Sequence, residues 1–149
     1  MESASMDLGR VHILRLDAGE DVLEAIQRFL QDADIRQAVV LGGYGTLAAY
    51  HLHWVAHNRI PTENLFCRGE GGIEILSMNG LVVDGEPHIH VALSTPDGAF
   101  GGHLEPGCIA YALCEVFFGE VEGVPLSRQR VPVSAEGMGV GKVSRLTFG

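Results

Sequence analysis

The spacing of apolar and polar residues changes several times along the chain, and each change marks an element. Arg10–Asp17 alternates, with Val11, Ile13 and Arg15 on one face and His12, Leu14 and Leu16 on the other. This period-2 pattern is that of a strand with apolar contacts on both sides. The period then lengthens: Val22, Ile26, Phe29 and Leu30 fall on one face of a 3.6-residue repeat, with Leu23 beside them. Glu20 and Asp21 stand where a helix dipole favours acids, so a helix is predicted over about residues 20–32. Ala38–Leu41 and Leu47–Val55 read as strand, and Gly42-Gly43-Tyr44-Gly45 between them marks a bend, a bulge or a close backbone approach. A phosphate-cradling loop fits those glycines poorly, because no Gly-Lys-Ser/Thr follows and no helix pattern opens after them.

Arg59–Gly72 reads as a loop. Ile73–Ser94 reads as two strands, with Asn79-Gly80 as the hairpin signal because both residues tolerate positive φ. Thr95-Pro96-Asp97-Gly98 is a second turn signal. Cys108–Val121 is too rich in β-branched and aromatic residues for a helix and reads as a buried strand. The tail from Glu122 to Gly149 is interrupted by Gly and Pro, and Lys142–Phe148 would add a last strand or lie over the surface. Many hairpin-linked strands with one good helix predict an α+β fold, an antiparallel or mixed sheet packed by few helices. One domain over residues 1–149 is expected, with a core at about 10–121 and a C-terminal extension at 122–149.

Composition narrows the function classes. The 149 residues are 46% hydrophobic, enough for a globular core. The formal net charge is −9, and the chain has no Lys/Arg run beyond the spaced pair Arg128 and Arg130. DNA is thereby a disfavoured partner, since non-specific binding rests on neutralising phosphates. Cys67, Cys108 and Cys114 contain no Cys-x-x-Cys and are odd in number, which reads as reduced buried thiols rather than a disulfide framework or a cysteine-rich zinc site. The N-terminal residues lack a basic segment followed by an apolar core, and no apolar run reaches membrane-spanning length, so a cytoplasmic protein with no membrane partner is expected.

The candidate chemistry lies in histidines. His88 and His90 are one residue apart on a predicted strand and so point the same way. If the Asp97-Gly98 turn sets Ala92 opposite His103, then His103 shares their face and lies diagonally from His90, roughly 7–8 Å away at the backbone. Three such imidazoles with an open fourth position suit zinc or another late first-row divalent metal. An odd-length loop would put His103 on the other face, and histidines bonded only to water or neighbours are the plain structural alternative. His51 and His53 form a second His-x-His with His57 beyond, for which hairpin geometry supplies no third partner; His12 reads as an ordinary strand residue. Glu115 stands in an apolar strand, as a carboxylate that would orient a ligand histidine, act as a base, or simply face solvent or an interface. No Gly-x-Ser-x-Gly elbow or Cys–His pairing supports nucleophilic hydrolysis.

Taken in order, these pieces resemble a known family. Residues 19–30, the glycine bend in Val39–Leu52, the Glu74-Ile75-x-Ser77-x-x-Gly80 segment, the histidine stretch from Pro87 to Leu104 and Glu115–Val121 resemble the PPC (plants and prokaryotes conserved) domain. The resemblance covers roughly residues 10–121. It implies an α+β fold with an antiparallel sheet and a homotrimer. For prokaryotic members that carry the histidines it also implies a metal site, commonly zinc, onto which His88, His90 and His103 map. Plant members couple the domain to Arg-Gly-Arg-Pro arms that enter the minor groove of DNA. No such arm exists here, so the family's DNA-binding label is carried by no residue of this chain. Three functions follow as expectations: a trimeric metal-binding module; a metal-dependent enzyme using a His₃-bound water, with Glu115 or Glu105 near the metal; and a DNA-associated regulator.

Overall fold

Eight strands and one helix follow in the order β1 (Asp7–Leu16), α1 (Val22–Asp32), β2 (Gln37–Val55), β3 (Asn64–Val83), β4 (Glu86–Thr95), β5 (Gly98–Leu104), β6 (Ile109–Glu122), β7 (Leu126–Ala135) and β8 (Gly139–Phe148), in a computed structural model that describes residues 1–149. The first six strands form one antiparallel sheet in the order β1-β6-β2-β3-β4-β5. A short pairing of β2 with β5, through Leu52–Leu104 and His53–His103, brings the far edge of the sheet back onto its middle. The architecture is therefore mostly antiparallel sheet with one short helix. No helix is long and apolar enough to cross a membrane.

The helix forms where the 3.6-residue pattern requires it. Asp21 is the N-cap, its carboxylate accepting from the Glu24 N–H at 3.1 Å, which satisfies one of the helix's orphan donors. Val22, Leu23, Ala25, Ile26 and Leu30 are buried against the sheet. Phe29 sits edge-on to His12 and against Phe118, which ties the helix to β1 and β6. Along the strands burial alternates: Cys114, Val116 and Phe118 on β6, and Ile89, Val91 and Leu93 on β4, point into the same core as Leu52 and Leu104. Burying each such large side chain stabilises the fold by about 1.5–3 kcal/mol relative to exposure.

The Gly42–Gly45 segment is both a bulge and a close approach. The register of β2 against β6 shifts between Val40 and Gly42 and again between Gly45 and Leu47. A Cβ on Gly43 would meet the Met78 sulfur at 2.7 Å.

Three sequence expectations are corrected. Asn79-Gly80 is not a turn: Asn79 pairs with His90, and Gly80 pairs with Val40 on one side and Ile89 on the other. Gly80 is needed because a Cβ there would come within 2.1 Å of the His88 carbonyl oxygen. The hairpin forms five residues later at Asp84-Gly85, where φ is 56° and 81° and Val83 pairs with Glu86; positive φ at both loop residues is the conformation a tight two-residue hairpin demands. The expected loop at 59–72 ends at Glu63, and Asn64–Gly72 continues β3 as the partner of Ala49–Val55. The β4–β5 turn is Pro96-Asp97, with Thr95 opposite Gly98, so Ala92 faces Gly101 and His103 faces His90 directly. The loop is still two residues long, so the parity and the shared face hold while the register moves by one pair.

The tail forms its own two-stranded sheet, β7 with β8. The Leu126 N–H donates to the Gln37 side chain at one end. At the other, Ile60 pairs with Gly139 and its N–H donates to the Met138 carbonyl at 2.7 Å.

Candidate metal centre

Three strands bring the histidines together. His90 on β4 faces His103 on β5, and His103 faces His53 on β2, so the three form one row across the sheet. Directly paired residues share a face, and so do residues two apart on a strand. His88 and Glu105 therefore join the same face, opposite the one from which Ile89, Val91, Leu52 and Leu104 enter the core. The rings follow the backbone. His103 stacks on His53 with centroids 4.4 Å apart and meets His88 and His90 edge-on at 4.6 and 5.5 Å. The Nε2 atoms of His88 and His90 lie 3.3 Å apart.

Glu105 completes the cluster. Its Oε1 lies 2.6 Å from His53 Nδ1, a hydrogen bond, and 3.3 Å from His103 Nδ1. The second contact lacks hydrogen-bonding geometry, and His103 Nδ1 is a buried nitrogen with no hydrogen-bond partner. A buried polar atom without a partner is costly. Nitrogen or oxygen atoms of His53, His103 and Glu105 all lie within 4.8 Å of one another.

Electrostatics favour the neutral form of His88 and His103. Burial pushes the His88 pKa down to about 4, helped by the positive charge of His103, Arg128, His90 and His53. Burial and then His53 push His103 below its ordinary value, against the pull of Glu105 in the other direction. An imidazole must be unprotonated to bind a metal, and an unpartnered nitrogen among imidazoles and one carboxylate fits a late first-row divalent ion.

His88, His90 and His103 share one face of the sheet, and the ligand atoms that come within 4.8 Å of one another are those of His103 with His53 and Glu105. No third partner for His53 can be read from the sequence because its link to His103 closes across fifty residues, and hairpin logic reaches only neighbouring strands. Its one readable signal was the His-x-His spacing, which fixes a shared face without saying what lies beside it. His51 does not take part: it is 8% exposed, and its Nδ1 bonds the Pro106 carbonyl at 2.7 Å. His57 lies beside Glu63, and His12 bonds Glu120 at 2.6 Å. Glu115 receives the Tyr44 hydroxyl on the opposite part of the sheet. It pairs with Tyr44, nine residues from His53 along β2 and so on the order of 30 Å from the cluster. Cys108 and Cys114 are buried thiols whose pKa burial pushes up to about 11, which leaves them unreactive.

A family model described as the Plants and Prokaryotes Conserved (PCC) domain matches residues 3–122. The bifunctional protein GlmU of Synechococcus sp. (strain JA-3-3Ab) is 30% identical over 128 residues, 84% of this chain and 19% of that protein. The chain thus spans about a fifth of the length of the curated relatives it matches. Among solved structures, a metal-containing protein from Archaeoglobus fulgidus is 26% identical with a TM-score of 0.75, covering 94% of this chain and 96% of that one. A plant- and prokaryote-conserved protein from Pyrococcus horikoshii is 29% identical with a TM-score of 0.71 over the same shares.

Proposed function

The chain belongs to the Plants and Prokaryotes Conserved domain family, and on that footing we propose that it is a metal-binding module whose ion, of the zinc class, is held by His88, His90 and His103. The observation that carries this reading is the buried, unpartnered Nδ1 of His103, on a ring packed against those of His53, His88 and His90. The metal-containing relative from Archaeoglobus supports it. His53 and Glu105 serve the same ion, as further ligands or as the groups that fix the orientation of His103. Metal analysis of the wild type beside His103→Ala tests the reading. The wild type is expected to hold about one ion per chain and the variant none; a metal-free wild type, or a variant that holds as much, overturns it.

Three copies are proposed to assemble through the face of the sheet turned away from α1. That face exposes Val11, Ile13, Leu41, Tyr44, Leu76 and Leu113, a contiguous apolar surface of the kind that marks an interaction site. Sedimentation should give a trimer, and a stable monomer at micromolar concentration would refute the assembly. DNA is not the partner assigned, because a net charge of −9 opposes it.

A second reading, a metal-dependent enzyme, is favoured by one contact: Glu105 reaches both His53 and His103. A bound divalent ion would supply Lewis acidity, and the His53–Glu105 pair would accept and hold a proton beside it.

A further inference from the structure

The face of the sheet opposite the core carries a second row of polar side chains besides the histidines. Thr46 on β2 pairs with Glu74 on β3, and Glu74 pairs with Ser94 on β4. The flanking pairs, Leu47–Ile73 and Ile75–Leu93, are buried in the core, so the row between them projects from the other face. Ser94 stands four residues beyond His90 on β4, roughly 13 Å along the strand.

Backbone irregularities hollow the sheet at this row. The register of β2 shifts against β6 between Gly45 and Leu47 and against β3 between Leu47 and Ala49, and that of β3 shifts against β4 between Ile75 and Ser77. A bulge bends its strand and increases the twist, and here a cavity of about 400 Å³ opens, with Thr46, Glu74, Ser94, Thr95 and Tyr111 in its lining. On β6, Tyr111–Leu113 bulge opposite Thr46, whose hydroxyl oxygen accepts from the Ala112 and Leu113 N–H groups at 3.0 and 3.4 Å. With its lone pairs engaged, that hydroxyl has its proton left to offer. The exposed Glu74 carboxylate accepts and does not donate. Tyr111 presents a ring that is 60% exposed.

These three groups select one kind of ligand. A hydroxyl donates to the carboxylate and accepts from Thr46; an ammonium, which only donates, would leave the Thr46 proton against another donor. A carboxylate or phosphate would meet Glu74 with no Lys or Arg in the lining to offset the repulsion. The negative face of an aromatic ring takes the apolar C–H face of a saturated ring. Hydroxyl edges around a C–H face are the chemistry of a sugar, and the cavity falls within the roughly 300–1,000 Å³ of small-ligand pockets.

We propose that this cavity binds a neutral sugar ring, whose hydroxyls bridge Glu74 and Thr46 and whose C–H face stacks on Tyr111. The site shares no residue with the histidine cluster and works without bound metal.

The test is ligand-observed saturation-transfer NMR of the full chain, in whatever assembly it adopts, with D-glucose, D-galactose and N-acetyl-D-glucosamine at millimolar concentration, repeated on metal-stripped protein. At least one of the three should receive saturation, equally with and without metal. Tyr111→Ala should weaken binding of that sugar about tenfold, through loss of the stacking surface. Glu74→Gln should weaken it by a similar factor, through loss of a charge-assisted hydrogen bond. Both positions are exposed, so melting temperatures should stay at the wild-type value, which separates lost binding from lost folding. Glu70→Gln changes an exposed acid on the same strand outside the cavity and should bind as wild type. No transfer to any of the three sugars, undiminished binding in either cavity variant, or tighter binding of ethanolamine or acetate than of the sugar overturns the proposal. Sugar binding that disappears with the metal or in His103→Ala moves the ligand to the histidines and overturns it as well. Metal content is read separately, so a metal-free wild type that still binds the sugar would refute the metal reading and leave this one standing.

Discussion

Two His-x-His pairs, His51/His53 on β2 and His88/His90 on β4, look alike in sequence and end differently. Both place two imidazoles on one face of a strand. On β4 both rings turn to the common centre, their Nε2 atoms 3.3 Å apart. On β2 the pair splits: His53 stacks on His103 and bonds Glu105, while His51 is buried and bonded to the Pro106 carbonyl. The difference lies in what crosses beside each residue. His53 is opposite His103 at the short seam where β5 meets β2. His51 lies two residues back, where the chain leaving β5 turns into Pro106 and Gly107 and closes over it; a Cβ on Gly107 would stand 3.1 Å from the His51 Cβ. A spacing motif fixes a face, and tertiary closure decides which member of the pair does chemistry.

The sharpest way to break this comparison is to empty one pair at a time. The double variant His88→Ala/His90→Ala is expected to lose bound metal altogether and, with it, any stabilisation by added zinc, read by metal analysis and thermal melting. Retained metal would shift the ligand set to His53, His103 and Glu105. Next in size, His53→Ala should weaken metal binding by roughly ten- to hundredfold, the usual cost of losing a ligand's supporting partner, in a competition assay with a chelating dye. His51→Ala in the same assay should bind as wild type. Equal losses from the two single substitutions would show that the β2 pair is not divided as described.

The parts of this molecule legible in sequence are those that depend on near neighbours. The helix could be read because Val22, Ile26 and Leu30 recur at helical spacing behind an Asp21 cap. The shared face of His88, His90 and His103 could be read because a tight turn preserves parity even when its register shifts by a pair. Glycine misled twice, since its freedom serves packing as often as turning. Gly80 makes room for the His88 carbonyl, and Gly69 sits where any Cβ would strike the Tyr50 ring at 2.5 Å, inside what looked like a loop. The β2–β5 seam, and with it the partnership of His53 and Glu105, is a closure between segments fifty residues apart, for which no local pattern exists.

A smaller effect separates the structural histidine from the chemical ones by stability rather than by metal. His51→Ala removes a buried side chain and leaves the Pro106 carbonyl without its partner, at a cost of about 1–3 kcal/mol. Urea unfolding of the metal-free protein should show that loss. His53→Ala, on a half-buried residue whose partner Glu105 keeps access to water, should cost less. A His53→Ala variant less stable than His51→Ala would reverse the assignment of structural and chemical roles.

The smallest effect expected is on pH dependence, and it concerns the β4 pair alone. In the metal-free unfolded chain His88 titrates near its ordinary 6.5, whereas in the fold burial and its cationic neighbours hold it at about 4. Between those values the unfolded state binds more protons than the folded one, so stability rises with pH across the window. The neutral ring's contribution is complete above about pH 6.5 and lost as the pH falls toward 4. His103, lowered by burial and His53, adds a loss of the same sign. Because His88 is only partly buried and keeps contact with solvent, screening keeps its share small. His88→Gln should therefore melt slightly less steeply with falling pH than wild type when both are stripped of metal, measured in steps through that window. An identical pH profile for the two proteins would mean that His88 titrates as freely folded as unfolded, and that the β4 pair is not pre-set in the neutral form a metal requires.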